Sequence, residues 1–329
     1  MSEASKSGCS VIVPNYNGRE WLPILLASLF EQSSLDLEIF IVDNGSTDGS
    51  EKVISGNVRF LALDKNYGFA YAVNRGIEAA RHPLIFLVNN DVALERDALS
   101  RLVRFLETHS EYDFAQPKMK FFHDKTRINN AGDVWSVWGA ALQRGFGETD
   151  RGQYDGVHEI FAPTGGAALY RRSVFDQIGL FDERFFAYIE DMDVGFRMRL
   201  AGMRGVLLPE SVVYHGFQST TRRISGFSRY YVMRNSQFTA IKNLPGRLMI
   251  KYSPQMMLGH LRNWATGIKD GCPGLVIRVY ADVIRSLPYL FSERVQIQKT
   301  RSVSSRELES WFCRRKLFFK KKGSKCVQQ

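Results

Sequence analysis

Two phosphate-cradling signatures are missing from this chain. No GxGxxG follows its first strand-like run, and no GxxxxGK[ST] occurs anywhere. Their absence argues against a dinucleotide oxidoreductase and a P-loop NTPase, whose glycines let backbone N–H groups close around phosphate. Zinc spacing is missing too. The four cysteines, Cys9, Cys272, Cys313 and Cys326, form no CxxC and read as free thiols of a reducing compartment. No apolar run reaches about 18 residues without a charge, so no spanning helix is expected. The opening MSEASKSGCS has neither a basic n-region nor an apolar h-region, so no secretory leader is expected. These absences point to a cytosolic protein, or one attached to a membrane from the cytosolic side.

What remains is ordinary globular composition, 44% hydrophobic and 24% charged over 329 residues, with a net charge of +10. Apolar runs at Ser10–Pro14, Leu37–Val42, Val58–Leu63 and Leu84–Val88 read as strands. Between and after them, Glu20–Gln32, Gly68–Arg81 and Arg96–Thr108 carry apolar residues at helical spacing. Such alternation predicts a parallel, doubly wound sheet. Phe114 to Phe161 reads as a mixed region with a long, mobile loop near Arg144–Gly156. Helices are expected over Arg172–Ile178 and Val194–Ala201, and short strands at Val206–Leu208 and Val212–Tyr214. From about Ser225 long basic helices take over: Ser228–Lys242, Gly246–Ile268 and Val276–Phe291.

Chemistry-bearing residues gather at strand ends. Pro14-Asn15, Asp43-Asn44, Asn66-Tyr67-Gly68 and Asn89-Asn90-Asp91 each follow an apolar run, and in a parallel sheet they meet at the carboxyl edge, where ligands bind. Amides and carboxylates suit base and ribose edges. A divalent cation on the hard oxygens of Asp91 could neutralise a diphosphate. Asn and Asp also end strands simply as turn formers. In the second half Glu190-Asp191 open a helix, where Asp191 and Asp193 could merely cap it. His215 ends a strand and, in the company of Asp91, becomes a candidate metal ligand.

Seven segments in order, VIVPNYNG (Val11–Gly18), IVDNGSTDGS (Ile41–Ser50), NYGFAYAVNRGI (Asn66–Ile77), FLVNND (Phe86–Asp91), TGGAALYRRSVFDQIGLFDERFF (Thr164–Phe186), EDMDVGFRMRLAG (Glu190–Gly202) and HGFQST (His215–Thr220), resemble family 2 glycosyltransferases. Within that family the chain is most similar to bacterial rhamnosyltransferase-like enzymes of cell-surface polysaccharide synthesis. The resemblance implies an α/β fold of the GT-A type: a Rossmann-like, mostly parallel sheet flanked by helices, here over residues 1–224. A helical, basic C-terminal extension follows over residues 225–329, membrane-associated or dimerising. It further implies that Pro14, Asn15, Asp43, Asn66, Asn74, Asn89, Asn90 and Asp91 bind the nucleotide-sugar. Asp91 would carry Mg²⁺ or Mn²⁺ with His215, and Asn89 replaces the first carboxylate of the family's DxD. Asp191 would be the catalytic base, supported by Glu190. Gly165 and Gly166 would lie against the acceptor.

The implied reaction is an inverting transfer from a nucleotide-diphospho-sugar to a hydroxyl of a saccharide acceptor, lipid-linked in the best-matching group. dTDP-rhamnose is the first expectation for the donor, with a UDP-hexose or UDP-galactofuranose as alternatives. A non-catalytic sugar-binding module is the alternative of another class. After Glu309 no acidic residue occurs, and Arg314–Lys322 interleaves cations with Leu and Phe. That pattern fits an anionic membrane surface. A nucleic-acid backbone or bulk water would also suit a basic run, but no nucleic-acid partner is expected. Peripheral attachment at the inner face of the cell membrane is the expected location, and the long helices leave a homo-oligomer open.

Overall fold

The computed structural model describes residues 8–32, 34–156, 158–216 and 226–314. The basic run beyond Arg314, the residues 217–220 of the HGFQST segment and Cys326 lie outside the described residues. The first half follows the strand–helix alternation: β1 (Gly8–Asn15), α1 (Leu22–Phe30), β2 (Asp36–Asp43), β3 (Val58–Ala62), α2 (Phe69–Ala79) and β4 (Leu84–Val88). These four strands pair in parallel, β1 between β2 and β4, with β3 outside β2. Val11 and Val13 pack on one face of β1 and Ile12 on the other, so both faces of the strand are buried, as parallel sheets require.

Next come β5 (Val92–Leu94), α3 (Ala98–Thr108), β6 (Phe114–Phe121), β7 (Ile128–Asn130), β8 (Asp133–Ser136), β9 (Ala140–Gln143), β10 (His158–Glu159) and β11 (Ala167–Arg171). They are followed by α4 (Arg172–Ile178), α5 (Glu190–Leu200), β12 (Gly205–His215), α6 (Phe227–Asn243), α7 (Gly246–Lys269), α8 (Pro273–Lys299) and α9 (Ser305–Ser310). The main sheet runs β10-β12-β6-β11-β4-β1-β2-β3. It is mixed rather than wholly parallel, because β11 enters antiparallel to both β4 and β6. No crossover helix separates β6 from β11, and only a parallel partner needs one.

Three further expectations change. Val206–Leu208 and Val212–Tyr214 are one strand, β12, whose register shifts between Leu208 and Val212. Pro209 sits inside that irregularity, where a missing N–H costs no ladder bond. The Arg144–Gly156 loop is tied down: Ile128 N–H donates to Glu148 O at 2.9 Å, Asp150 N–H donates to Thr126 O at 2.8 Å, and Lys120 Nζ lies 2.8 Å from Asp150 Oδ2. Helix α5 starts at Glu190 after Ile189, which makes no side-chain cap, so neither Asp191 nor Asp193 takes the N-cap position.

The basic helices share a core with the sheet domain. One cluster joins Trp135, Phe161, Met192 and Phe196 to Ala240, Leu244, Leu248 and Phe312. On the sheet-domain side of this cluster, Gly195 lets α5 pack close to Ala162, since a Cβ there would stand 2.2 Å from that of Ala162. Among the described residues no helix is long and apolar enough to cross a membrane.

Candidate active site

In-register pairing of β1 with β2 sets Asn15 beside Asp43. Asn15 Nδ2 donates to Asp43 Oδ1 at 2.7 Å, and Asn90 Nδ2 donates to Asn15 Oδ1 at 2.8 Å. The ends of β1, β2 and β4 are therefore laced into one edge. Ser46 adds its Oγ and N–H to Asp43 at 2.6 and 3.0 Å. Pro14 lies half-buried in β1 opposite Val42. Asn66 joins from the loop after β3: Asn44 Nδ2 donates to Asn66 Oδ1 at 3.0 Å, and Asn66 Oδ1 also accepts the Gly68 N–H at 2.9 Å. Gly68, at φ 95°, lies where a Cβ would be 2.5 Å from the Phe186 carbonyl oxygen. That contact fastens the edge to the chain leading into α5. Asn74 is not brought to this edge. It is buried, and its amide clamps Phe181, donating to the carbonyl at 2.9 Å and accepting the N–H at 3.0 Å.

Gly165 and Gly166 join the strand-end edge to the second half. Gly166 O accepts the Asn89 N–H at 3.0 Å, and Gly165 N–H donates to Asp191 Oδ2 at 2.8 Å. The Met192 N–H donates to the other oxygen, Oδ1, at 2.7 Å. Burial pushes the Asp191 carboxyl up, and those two backbone donors pull it back. Glu190 has less compensation, a single backbone hydrogen bond that lowers it. Its Oε2 is buried with no hydrogen-bond partner, and burial, then the charge of Asp191, drives its carboxyl well above the usual range. Both carboxyls are raised, Glu190 the more strongly, so Asp191, with its two backbone donors, is the better placed of the two to carry the charge. An ionised Asp191 with a lone pair to spare can accept a proton from a hydroxyl.

Asp91 and His215 also meet. β12 pairs antiparallel with β5, which sets His215 opposite Val92, and His215 Nε2 stands 3.1 Å from Asp91 Oδ1. His215 Nδ1 lies 3.0 Å from Asn129 Oδ1. An N–H on Nδ1 donating there leaves the Nε2 lone pair facing the carboxylate, the tautomer a metal ligand needs. Two neighbouring ligands of an octahedral ion at about 2.1 Å stand roughly 3 Å apart, so this pair fits one edge of a cation's shell. Among the described residues no group of three or more His, Cys, Asp or Glu side chains is arranged to hold a metal. The remaining positions would belong to phosphate oxygens and water, as is usual for Mg²⁺ in nucleotide sites.

Residues 10–179 match the model of the family described as Glycosyl transferase family 2. The chain belongs to glycosyl transferase family 2. It is a glycosyltransferase with the GT-A fold. The N-acetylglucosaminyl-diphospho-decaprenol L-rhamnosyltransferase of Mycobacterium tuberculosis is 28% identical over 253 residues, covering 65% of this chain and 77% of that protein. The uncharacterized glycosyltransferase YfnE of Bacillus subtilis is 25% identical over 254 residues, covering 63% and 64%. Among solved structures, the mannosyltransferase of Pyrobaculum calidifontis in complex with GDP-Man and Mn²⁺ superposes with a TM-score of 0.54 at 16% identity, covering 92% of this chain and 86% of the other. Residues 1–349 of S. aureus TarS give 0.52 at 19%, covering 92% and 91%.

Three site residues of this family 2 enzyme escape sequence reasoning. Asp133 is buried, its Oδ1 accepts from Asn130 Nδ2 at 2.7 Å, and burial, then the Asp191 charge, raises it well above the usual range. Asn235 on α6 is fully buried and donates to the carbonyls of Phe185, Ala187 and Tyr188 at 2.9, 2.9 and 2.7 Å. These residues flank three non-glycine positions held at positive φ, Phe186 (64°), Tyr188 (67°) and Ile189 (70°), directly before the Glu190-Asp191 pair. Lys242, also on α6, is 1% exposed between Asp182 and Asp193. A lysine at a core position of a helix is the signal that could have found it.

Proposed function

We propose that this glycosyltransferase moves L-rhamnose from dTDP-L-rhamnose, with inversion, to a hydroxyl of a lipid-linked saccharide at the cytosolic face of the membrane, during cell-surface polysaccharide synthesis. One observation carries the catalytic part. Gly165-Gly166 bonds the Asn89 backbone on one side and the Asp191 carboxylate on the other, so the donor edge and the base share one rigid dipeptide. The rhamnosyl donor and lipid-linked acceptor rest on the likeness to the mycobacterial enzyme.

In this reading Asn15, Asp43 and Asn66 hold the nucleotide, with Asn89, Asn90 and Asp91 beside the diphosphate. Asp191 takes the proton from the acceptor hydroxyl as that oxygen bonds to the anomeric carbon. The bond from that carbon to the diphosphate breaks, and the nucleoside diphosphate leaves with the electron pair. One base suffices for a single displacement. A divalent cation, Mg²⁺ or Mn²⁺, held by Asp91 and His215 would offset the charge gathering on the leaving diphosphate. Glu190, its carboxyl raised by burial and by the charge of Asp191, favours the neutral form beside the base.

The test is a donor panel with Mn²⁺, Mg²⁺ or EDTA, read by thermal stabilisation and nucleoside-diphosphate release. dTDP-rhamnose should be the one donor that both stabilises the protein and turns over. Asp191→Asn should keep the stabilisation and lose turnover by about 10³-fold or more. Turnover of a UDP-sugar in preference to dTDP-rhamnose would overturn the donor assignment. An active Asp191→Asn would overturn the base.

A further inference from the structure

Helices α7 and α8 carry most of the large apolar side chains that the described residues leave exposed. On α7 they include Ile250 (78% exposed), Met257, Leu261 and Ile268; on α8, Ile277, Ile284 (64%) and Phe291. Their spacing is 7, 4 and 7 residues on α7 and 7 and 7 on α8. At about 100° per residue each set stays within roughly 40° of one line along its helix.

The two lines lie on the same side of the hairpin. The seam between the helices is marked by Trp264 stacked on Tyr280 with ring centroids 5.5 Å apart. His260 Nδ1 stands 2.9 Å from Tyr280 Oη, and a Cβ on Gly267 would lie 2.4 Å from Val276. On each helix the apolar line stands roughly a quarter turn from this seam, in the same rotational sense. In an antiparallel pair, equal rotations from the seam bring both faces to one side. The result is a single apolar surface two helices wide. The other flank of α8 is taken up by α6, through Val283 and Leu290 against Phe238.

Charge frames this surface. Lys251, Arg262 and Lys269 on α7 and Arg278 and Arg285 on α8 fall about 100° from the apolar lines, on the side away from the seam, so both outer edges are basic. Residues 246–299 hold eight Lys and Arg against three Asp and Glu. Two of the acids are already paired: Asp270 with Arg229 at 2.8 Å, and Asp282 with the Tyr230 hydroxyl and with Arg278 and Arg285 of the same edge, which leaves the cations in excess. A second copy docked symmetrically on this face would bring basic edges together. A bilayer with anionic headgroups meets both features, taking the apolar side chains at its interface and the cations at its surface.

We propose that the α7–α8 hairpin is the face by which this enzyme lies on an anionic bilayer. It deepens the reading of a membrane-held acceptor and rests on that reading for its purpose, and it moves the attachment from the basic tail to a folded surface. The test is cosedimentation of the full chain with phosphatidylcholine vesicles, with and without phosphatidylglycerol. Ile277→Glu/Ile284→Glu, Arg278→Gln/Arg285→Gln and a chain ending at Arg314 are compared, with light scattering of each protein free in solution. Wild type should bind only the anionic vesicles. The Glu pair should lower the bound fraction at least about tenfold at an unchanged melting temperature, since it opposes burial of two exposed isoleucines. The Gln pair should weaken binding, and the shortened chain should keep most of it. Undiminished binding by the Glu pair, binding lost only with the tail, or a dimeric wild type made monomeric by the Glu pair would each overturn the proposal. Donor turnover in solution, read on the same samples, separates failure of this surface from failure of the sugar-transfer reading.

Discussion

Replacing Lys242 by Met should unfold this enzyme more easily at neutral pH than at acid pH, although Lys242 lies on α6, beyond the region matched to the family. Its Nζ is 2.5 Å from Asp182 Oδ2 and 3.1 Å from Asp193 Oδ1, with the lysine side chain 1% exposed. Asp193 is fully buried and keeps Arg197 at 3.0 Å and Asn243 at 2.8 Å, so the substitution leaves two buried carboxylates sharing one fewer cation. Removing one member of a buried ion pair costs about 3–5 kcal/mol. With an unfolding entropy of about 2.1 cal/mol/K per residue, 329 residues give roughly 0.7 kcal/mol/K, so the melting temperature should fall by about 4–7 °C. Burial alone would raise the Asp193 carboxyl, yet Lys242 and Arg197 outweigh it and hold it below the usual range. A carboxylate depressed in the fold stabilises above its unfolded pKa of about 4 and loses that contribution as pH falls through the folded value. The deficit should therefore be full at pH 7.5 and shrink as pH falls below about 4, where Asp193 takes up its proton. Calorimetry of parent and variant across that range checks it. A variant melting within about 1 °C of the parent at pH 7.5 would refute the network as a source of stability.

Glu190→Gln carries the opposite sign. Because burial and the Asp191 charge raise the Glu190 carboxyl well above the usual range, the native glutamic acid favours the fold below its unfolded pKa and erodes it as pH rises. The glutamine variant should gain melting temperature relative to the parent at pH 8 and lose that gain near pH 4, and a uniform difference at both would contradict the assignment. Asn235→Ala removes the donor to three carbonyls ahead of Asp191, the proposed base. It should lower kcat by about 10–100-fold while the KM for donor stays within about twofold. Equal changes in both would mean that Asn235 acts on the donor edge instead of positioning Asp191.

The first four strands and the edge formed by their ends are legible because their signals are local. Each apolar run ends in Asn, Asp or Gly, and parallel pairing brings those ends together without further instruction. β11 is not legible in this way. Ala167–Arg171 abuts α4 with no turn residue between them, and its place between β4 and β6 depends on partners about 50–90 residues away. Asn74 was readable in part. It follows Val73 on the stripe that also holds Ala70 and Ile77, all buried, and helical spacing alone assigns it to the core face of α2. Its hydrogen bonds to Phe181 fit that face. Asn235 carries no such local sign, since its partners are three main-chain carbonyls at positions 185–188.

Those carbonyls tie the C-terminal helices to the segment that leads into Glu190 and Asp191. The match to the family ends at residue 179, ahead of Asp191, and the strained stretch between, Phe186 to Ile189, gains no support from its own sequence. Positive φ at bulky residues costs on the order of 1–3 kcal/mol each and persists only when surrounding contacts over-determine it. α6 supplies them: Asn235 clamps the carbonyls, and Lys242 and Asn243 bind Asp193 one turn into α5. The back of α6 receives α8 through Phe238, Val283 and Leu290, and α8 presents Ile277, Ile284 and Phe291 outward. One continuous stack of packed helices thus runs from the base to the apolar surface. If that surface lies on lipid, the height and tilt of Asp191 above the bilayer are set by helix packing, without a flexible linker between the site and its support.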